Sequence, residues 1–289
     1  MIKKGIVLAG GVGSRLSPLT KVINKQLLPL YDKPLVYYPL SVLMLAGIRN
    51  ILIIVNKNQK ENFQNILGNG KSFGLKITYK EQIKPRGLPD AFILGENFIK
   101  KDAVALILGD NFFYGQGFTK RLHKIVKKNN GATVFAYNVK NPEKYGIVNF
   151  NKNNKILSIK EKPKKPKTNF AVTGLYFFDN KVIKISKKIK PSYRGELEIV
   201  DVLNKYLRNK KLNLQFIGRG GAWLDAGSVR DLYDASQFVS NIEERQGLKI
   251  ACLEEIAFNK GWINKKIIKE RIKFYGNCNY SHYLKNILK

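Results

Sequence analysis

The chain has 289 residues, long enough for one large domain or two modest ones with a sizeable core. Hydrophobic residues make up 44% and charged residues 25%, the balance of a folded chain rather than a disordered or fibrous one. The two cysteines, Cys252 and Cys278, fit neither a disulfide framework nor a metal-ligand spacing, and no apolar run approaches the ~20 residues of a membrane-spanning helix.

The formal net charge of +31 sets a nucleic-acid or membrane-surface binder against an anion-binding enzyme with a lysine-rich surface. Lysine far outnumbers arginine and is scattered, as at Lys100-Lys101, Lys127-Lys128, Lys187-Lys188 and Lys210-Lys211. Base-reading proteins lean on arginine forks instead. No zinc, helix-turn-helix or RNP-type signature is present. The charge is therefore read as a solvated surface, with no nucleic-acid or membrane partner. The first apolar run is interrupted at Gly10-Gly11 and Arg15, too early for a secretory signal. A cytoplasmic protein with free thiols is expected.

In chain order, Lys4–Leu8 reads as a short buried strand that stops at glycine. A helix is expected over Val36–Ala46, then a strand buried on both faces at Ile51–Val55 and a helix over Gln59–Leu67. Leu75–Tyr79 alternates and suggests a strand nearer an edge. Helices over Pro89–Phe98 and Phe118–Lys128 separate strands at Ala103–Leu108 and Ala132–Tyr137. From Asn141 the pattern changes to strands Gly146–Phe150, Ile156–Glu161 and Ala171–Phe178, an antiparallel insertion. Asn180 is placed as the cap of a short helix over Val182–Lys188, followed by an amphipathic helix over Glu196–Leu207. Strands at Leu212–Ile217 and Ala222–Leu224 precede a helix capped by Ser228 that runs to about Glu244. The remainder is helical in pattern, with packing or subunit contact as its role.

The alternation predicts an α/β fold: a Rossmann-like, mainly parallel mixed sheet flanked by helices, with an antiparallel insertion and a helical C-terminal segment. The expected organisation is a main α/β domain over 1–240, divided at about 140, and the segment 241–289. Ligands in such sheets bind beyond the C-terminal ends of the strands. The Gly10 loop and Asp110 both fall there.

Gly10, Gly11 and Gly13 follow the first strand within four positions, and such a loop can turn its N–H groups toward phosphate oxygens. Arg15 adds a planar fork and Lys25 a mobile point charge. The spacing fits neither a P-loop nor G-x-G-x-x-G. Asp110 follows a buried strand and Asp225 a second, shorter one. Two carboxylates beside a phosphate cradle suit a metal ion that also binds substrate phosphates.

Together these residues carry a resemblance. Leu8-Ala-Gly-Gly-Val-Gly-Ser-Arg-Leu-Ser-Pro-Leu-Thr20 and Lys25-Gln-Leu-Leu-Pro-Leu-Tyr-Asp-Lys-Pro34 are similar to the signature of the sugar-nucleotide pyrophosphorylases. Within them the chain most resembles the bacterial glucose-1-phosphate thymidylyltransferases. The similarity continues through Leu108-Gly-Asp-Asn111, Glu161-Lys-Pro163, Thr173-Gly-Leu-Tyr176, Arg194-Gly-Glu-Leu-Glu198 and Ala222-Trp-Leu-Asp225, and so covers nearly the whole chain.

The resemblance implies nucleotidyl transfer from dTTP to glucose 1-phosphate, feeding dTDP-sugar and surface polysaccharide synthesis. It assigns Asp110 and Asp225 to Mg²⁺. Leu8, Gly10, Gly11, Gly13, Gln26, Gln82, Gly87 and Asp110 would bind the nucleotide, with Gln82 and Gly87 reading the pyrimidine. Tyr145, Gly146, Glu161, Lys162, Val172, Thr173 and Gly174 would line the sugar pocket. Arg15, Lys25 and Lys162 would be catalytic, on the leaving pyrophosphate, the α-phosphoryl centre and the attacking phosphate respectively. A homotetramer is implied, with a second nucleotide site loosely around Gly115, Arg219 and Glu255. The chain departs from the family's usual Gly-Leu-Ala-Gln-Ala at Gly87-Leu-Pro-Asp-Ala91. It also carries Ser14, Gly221 and Ala226 where threonine, tyrosine and threonine are more usual.

Overall fold

The computed structural model describes residues 1–289. Its strands are β1 (Lys4–Ala9), β2 (Pro29–Leu30), β3 (Lys33–Pro34), β4 (Asn50–Asn56), β5 (Lys76–Gln82), β6 (Val104–Leu108) and β7 (Asn111–Gly115), then β8 (Ala132–Asn138), β9 (Gly146–Phe150), β10 (Ile156–Glu161), β11 (Phe170–Phe178), β12 (Leu212–Phe216) and β13 (Gly221–Asp225). The α-helices are α1 (Tyr37–Leu45), α2 (Lys60–Leu67), α3 (Asp90–Leu94), α4 (Glu96–Ile99), α5 (Phe118–Lys128) and α6 (Lys181–Ser186), then α7 (Ile199–Arg208), α8 (Val229–Gln246), α9 (Leu253–Asn259), α10 (Lys265–Tyr275) and α11 (Asn279–Ile287). No helix is long and apolar enough to cross a membrane.

Nine strands form one mixed sheet in the order β10-β9-β11-β6-β1-β4-β5, with β8 also paired to β11 and β12 outside β8. The run β6-β1-β4-β5 is parallel, and β5 is the edge strand that its alternation predicted. The antiparallel strands are not a separate sheet. β11 pairs directly with β6, so the second half continues the first.

Both faces of the parallel strands are covered, which is why their sequences are nearly continuous apolar runs. Along β1 and β4, Val7, Ile51 and Ile53 pack into one core with α1, α5 and the C-terminal helices. Ile6, Leu52 and Ile54 pack into the other with α3 and α7. A third, smaller core joins the β2–β3 hairpin to α8 through Leu30, Tyr38, Ala235 and Val239.

Beyond shifts of a few residues at element ends, three helix features depart from the sequence reading. The helix expected over Pro89–Phe98 is broken at Gly95, the residue that presses against Ile6 and Leu52. Glycine weakens a helix interior, and here it admits the close approach. The helix expected from Glu196 starts at Ile199, because Leu197 is held extended in a parallel bridge with Gly87. Asn180 already has helical dihedrals (φ −67°, ψ −11°) and its side chain caps nothing; the Asp179 carboxylate accepts from Lys181 N instead, at 3.1 Å. Ser228 caps α8 as expected, accepting from Asp231 N.

The C-terminal helices are fastened by a buried ion pair. Glu254 is 0% exposed and accepts from Arg271 Nε (3.1 Å), Tyr275 Oη (2.8 Å) and Tyr280 Oη (2.7 Å). Arg271 is sandwiched against Phe73 and Phe274. Removing one partner of such a pair leaves the other buried and uncompensated. Glu254→Ala is expected to destabilise the fold by about 3–5 kcal/mol, read as a lowered urea midpoint.

Candidate active site

Register alone places the first group of side chains. Ala9 pairs with Val55, and Asn56 with Gln82, so Gly10, Asn56 and Gln82 lie in a row at the C-terminal edge of the parallel strands. Leu8 pairs with Leu108, which sets Gly109 and Asp110 on the other side of the glycine loop. Asn56 steadies that loop, donating to the Gly11 carbonyl at 3.2 Å. The glycines are required by space. A Cβ on Gly10 would lie 2.4 Å from Gln82 Oε1, and one on Gly13 (φ +66°) would lie 2.8 Å from Thr20 Cγ2. One on Gly109 would meet Gln26 Cγ at 2.8 Å.

Lys25 and Asp110, 85 residues apart, form an ion pair at 2.5 Å. Burial acts to raise the Asp110 pKa, but the Lys25 ammonium and hydrogen bonds from Lys25 and Asn111 outweigh it, and the net shift is downward. Asp110 therefore stays ionised. Its other oxygen accepts from Asn111 Nδ2 at 2.9 Å.

Asp225 reaches this place through the β7–β13 ribbon, where it pairs with Asn111. Its pKa is raised to about 6, first by burial and then by the neighbouring charges of Asp110 and Asp231. Tyr145 donates to Asp225 Oδ1 at 3.3 Å, so a side chain expected in the sugar pocket touches a carboxylate expected to hold a metal. Arg15 Nη2, Asp225 Oδ2 and Asp231 Oδ2 all lie within 3.4 Å of the point a Cβ on Gly227 would occupy.

Two buried polar atoms have no hydrogen-bond partner here: Gln26 Oε1 and Thr173 Oγ1. Unpaired buried groups are costly, so each is a place for a ligand to complete. Thr173 and Gly174 come in on β11, and Gly174 N donates to Asn111 Oδ1 at 3.1 Å.

Gly146, Glu161 and Lys162, also expected to line a sugar pocket, gather around the end of β10. Gly146 pairs with Glu161, and a Cβ on Gly146 would lie 3.2 Å from Glu161 Oε2. Burial, then the Glu198 charge, raises the Glu161 pKa, against the pull of Lys162 and Arg194. Lys162 is exposed and sits at φ +39°, a conformation rare for a residue with a side chain, with its N–H on the Tyr145 carbonyl at 3.0 Å. Val172 is 7% exposed and packs within the second core. Gly87 (φ +102°) lies against the Leu197 backbone, where a Cβ would come within 2.1 Å of the carbonyl oxygen. Gly115 and Glu255 line a separate cleft of about 640 Å³ between β7 and the C-terminal helices.

The sequence reading gave no role to Asn111, Asn56, Asp231 or Arg194. Asn111 is buried and serves Asp110, Gly174 and Trp223 at once. Arg194 lies 3.5 Å from Glu161 and 3.6 Å from Glu198. Both stood in recognisable blocks, but only the fold shows what they touch.

No group of three or more His, Cys, Asp or Glu side chains is arranged so that it could by itself hold a metal ion. Two carboxylates, one of them firmly ionised, suit a hard cation whose remaining ligands are phosphate oxygens and water rather than an all-protein cage.

A glycine loop, an aligned lysine and two carboxylates at the C-terminal edge of a mixed sheet define a phosphate-handling transferase. Residues 4–242 match the family described as Nucleotidyl transferase, and the chain belongs to that family. It is 52% identical over 286 residues to the glucose-1-phosphate thymidylyltransferase of Neisseria meningitidis, covering 99% of each chain. A crystal structure from Bacillus anthracis, described provisionally as a glucose-1-phosphate thymidylyltransferase in complex with a sucrose, superposes with a TM-score of 0.75 at 41% identity, covering 81% of this chain and 94% of that one. A UDP-glucose pyrophosphorylase complexed with UDP-glucose superposes with a TM-score of 0.74 at 27% identity, covering 84% and 100%. Nucleotidyl transferases generally use a divalent metal.

The raised pKa of Asp225 has a consequence for stability. A carboxyl whose folded pKa (about 6) exceeds its ordinary value of 3.8 favours folding fully only below that ordinary value, and the contribution is lost as pH rises through 6. In chelator, Asp225→Asn is expected to stabilise the fold by about 1–2 kcal/mol at pH 7, and the gain should vanish near pH 4. Urea unfolding at the two pH values measures it.

Proposed function

We propose that the protein is a glucose-1-phosphate thymidylyltransferase, joining dTTP and α-D-glucose 1-phosphate to give dTDP-glucose and pyrophosphate. The observation that carries this reading is the convergence of the glycine loop, the Lys25–Asp110 pair and Asp225 on one strand edge. The full-length likeness to glucose-1-phosphate thymidylyltransferases supports the choice of substrates.

A phosphate oxygen of the sugar 1-phosphate attacks the α-phosphorus, and the bond from that phosphorus to the bridging oxygen breaks to release pyrophosphate. The nucleophile is already an anion, so no general base is needed. The two histidines fit this: His123 borders a shallow cleft with Met1 and Lys3, and His282 bonds Asn277 on the surface. The protein's part is alignment and charge stabilisation.

The glycine loop presents backbone N–H groups to the triphosphate. Lys25, paired with Asp110 at 2.5 Å, would turn its ammonium to the α-phosphoryl centre. Arg15 grips the leaving pyrophosphate, and Lys162, fixed in an unusual backbone conformation, meets the attacking phosphate. Glu161 accepts from sugar hydroxyls, and Thr173 Oγ1 and Gln26 Oε1 find partners in the substrates. Asp110 and Asp225 would hold Mg²⁺, which when bound neutralises charge on the reacting phosphates. We read 1–140 as nucleotide-binding, 141–240 as sugar-binding and 241–289 as a helical segment that supports a cytoplasmic homotetramer.

Two measurements test the reading. Arg15→Lys keeps the charge but loses the fork, and is expected to lower kcat/KM for pyrophosphate release about 100-fold; wild-type kinetics would make Arg15 a surface charge only. Across a matrix of triphosphates with glucose 1-phosphate, dTTP should be best, UTP or dUTP weaker but usable, and cytosine and purine triphosphates poor. A methyl group separates the first two by only about 10–200-fold, whereas a mismatched polar edge costs far more. A wild-type preference for ATP or CTP would overturn the thymidylyl assignment.

A further inference from the structure

Gln82 ends β5 with its side chain buried at 4% exposure. Its Nε2 donates to Asp90 Oδ2 at 2.8 Å. Asp90 is 1% exposed and opens α3, and its other oxygen accepts from Arg86 Nη2 at 2.6 Å. Gln82 Oε1 takes no hydrogen bond and faces Gly10, where only the lack of a Cβ leaves it room. The amide thus keeps its oxygen and its second N–H for a ligand beside the glycine loop.

A primary amide has nearly the same shape when its oxygen and nitrogen are exchanged, but the opposite chemistry. In one orientation it accepts from a ligand N–H and donates to a ligand carbonyl, which matches the imide edge of thymine or uracil. Exchanged, it donates to a ring nitrogen and accepts from an exocyclic amine, which matches cytosine. A carboxylate can only accept, so it can face only the NH₂ end. We propose that Asp90, itself held by Arg86, locks the Gln82 amide in the orientation that pairs with an imide and so excludes cytosine. Asp90 is then a positioning residue for base choice; this rests on the reading of Gln82 as the base-contacting residue.

The test uses dTTP and 5-methyl-dCTP, which differ only on that edge, each with glucose 1-phosphate. In Asp90→Asn, the Arg86 guanidinium, a pure donor, takes the new amide oxygen, which turns the new NH₂ toward Gln82. Gln82 must then turn its oxygen to it and offer its nitrogen to the base. The ratio of kcat/KM for dTTP over 5-methyl-dCTP should fall by about 100-fold or more, through a raised KM for dTTP and a lowered one for 5-methyl-dCTP rather than through kcat. Adding Arg86→Met frees the asparagine to turn back, so the ratio should recover in part, whereas a merely structural defect would deepen. Asp90→Leu, which removes the lock without adding a donor and suits a buried position, should give an intermediate ratio. The proposal is overturned if Asp90→Leu or Asp90→Asn keeps the wild-type ratio, or if both triphosphates lose kcat equally. Failure of the underlying reading is distinct: the wild-type protein would itself show no preference for dTTP.

Discussion

The side chain of Asn111 holds the site together. It is 2% exposed, and each of its polar atoms is used. Its nitrogen donates to Asp110, while its oxygen accepts from Trp223 Nε1 at 2.6 Å and Gly174 N at 3.1 Å. Three strands and the loop after β6 therefore meet at one amide. Leaving any of these groups unpaired in the interior would cost about 1–3 kcal/mol, so the geometry has little freedom. Gly174 is part of the same constraint, because a Cβ there would lie 2.4 Å from the Asn111 oxygen.

Around that fixed point two like carboxyls are driven apart in character. Asp110 is held ionised by Lys25 and two hydrogen bonds, whereas Asp225 is pushed up by burial and by its acidic neighbours. Groups placed together with opposed environments are a mark of functional sites. The free site carries an electrostatic penalty at Asp225 that a bound cation would relieve. Backbone strain sits beside it, at Lys162, where φ is +39° and the following Pro163 leaves little room to relax.

The parts far from the chemistry serve the same end by packing. Lys33, 2% exposed in its side chain, pairs with Asp32 and with Glu243 of α8, fastening the hairpin after Lys25 to the helix that follows Asp225. Glu254 and Arg271 do the same for the C-terminal helices against α1 and Phe73. Both pairs are buried, so their value is in fixing which surfaces meet more than in net stability.

Much of this was legible in the residues themselves. The apolar runs of β1, β4 and β6 announced strands covered on both faces, because only burial on two sides removes the alternation. The glycines after β1 announced a close backbone approach, and the order of Arg15, Lys25, Asp110 and Asp225 raised the expectation of phosphate and metal chemistry. These are local properties, fixed by a side chain's size, charge or lack of a Cβ. The sequence could not decide which groups meet. The ribbon of β7 and β13, the pairing of β11 with β6 and the 2.5 Å contact of Lys25 with Asp110 all depend on register across long separations, and the hydrogen bond from Gln82 to Asp90 depends on how the chain after β5 turns back. Pro89 and Asp90 suit the first turn of a helix, and α3 does start at Asp90; that the same aspartate is turned inward, to accept from Gln82, is decided by the tertiary fold.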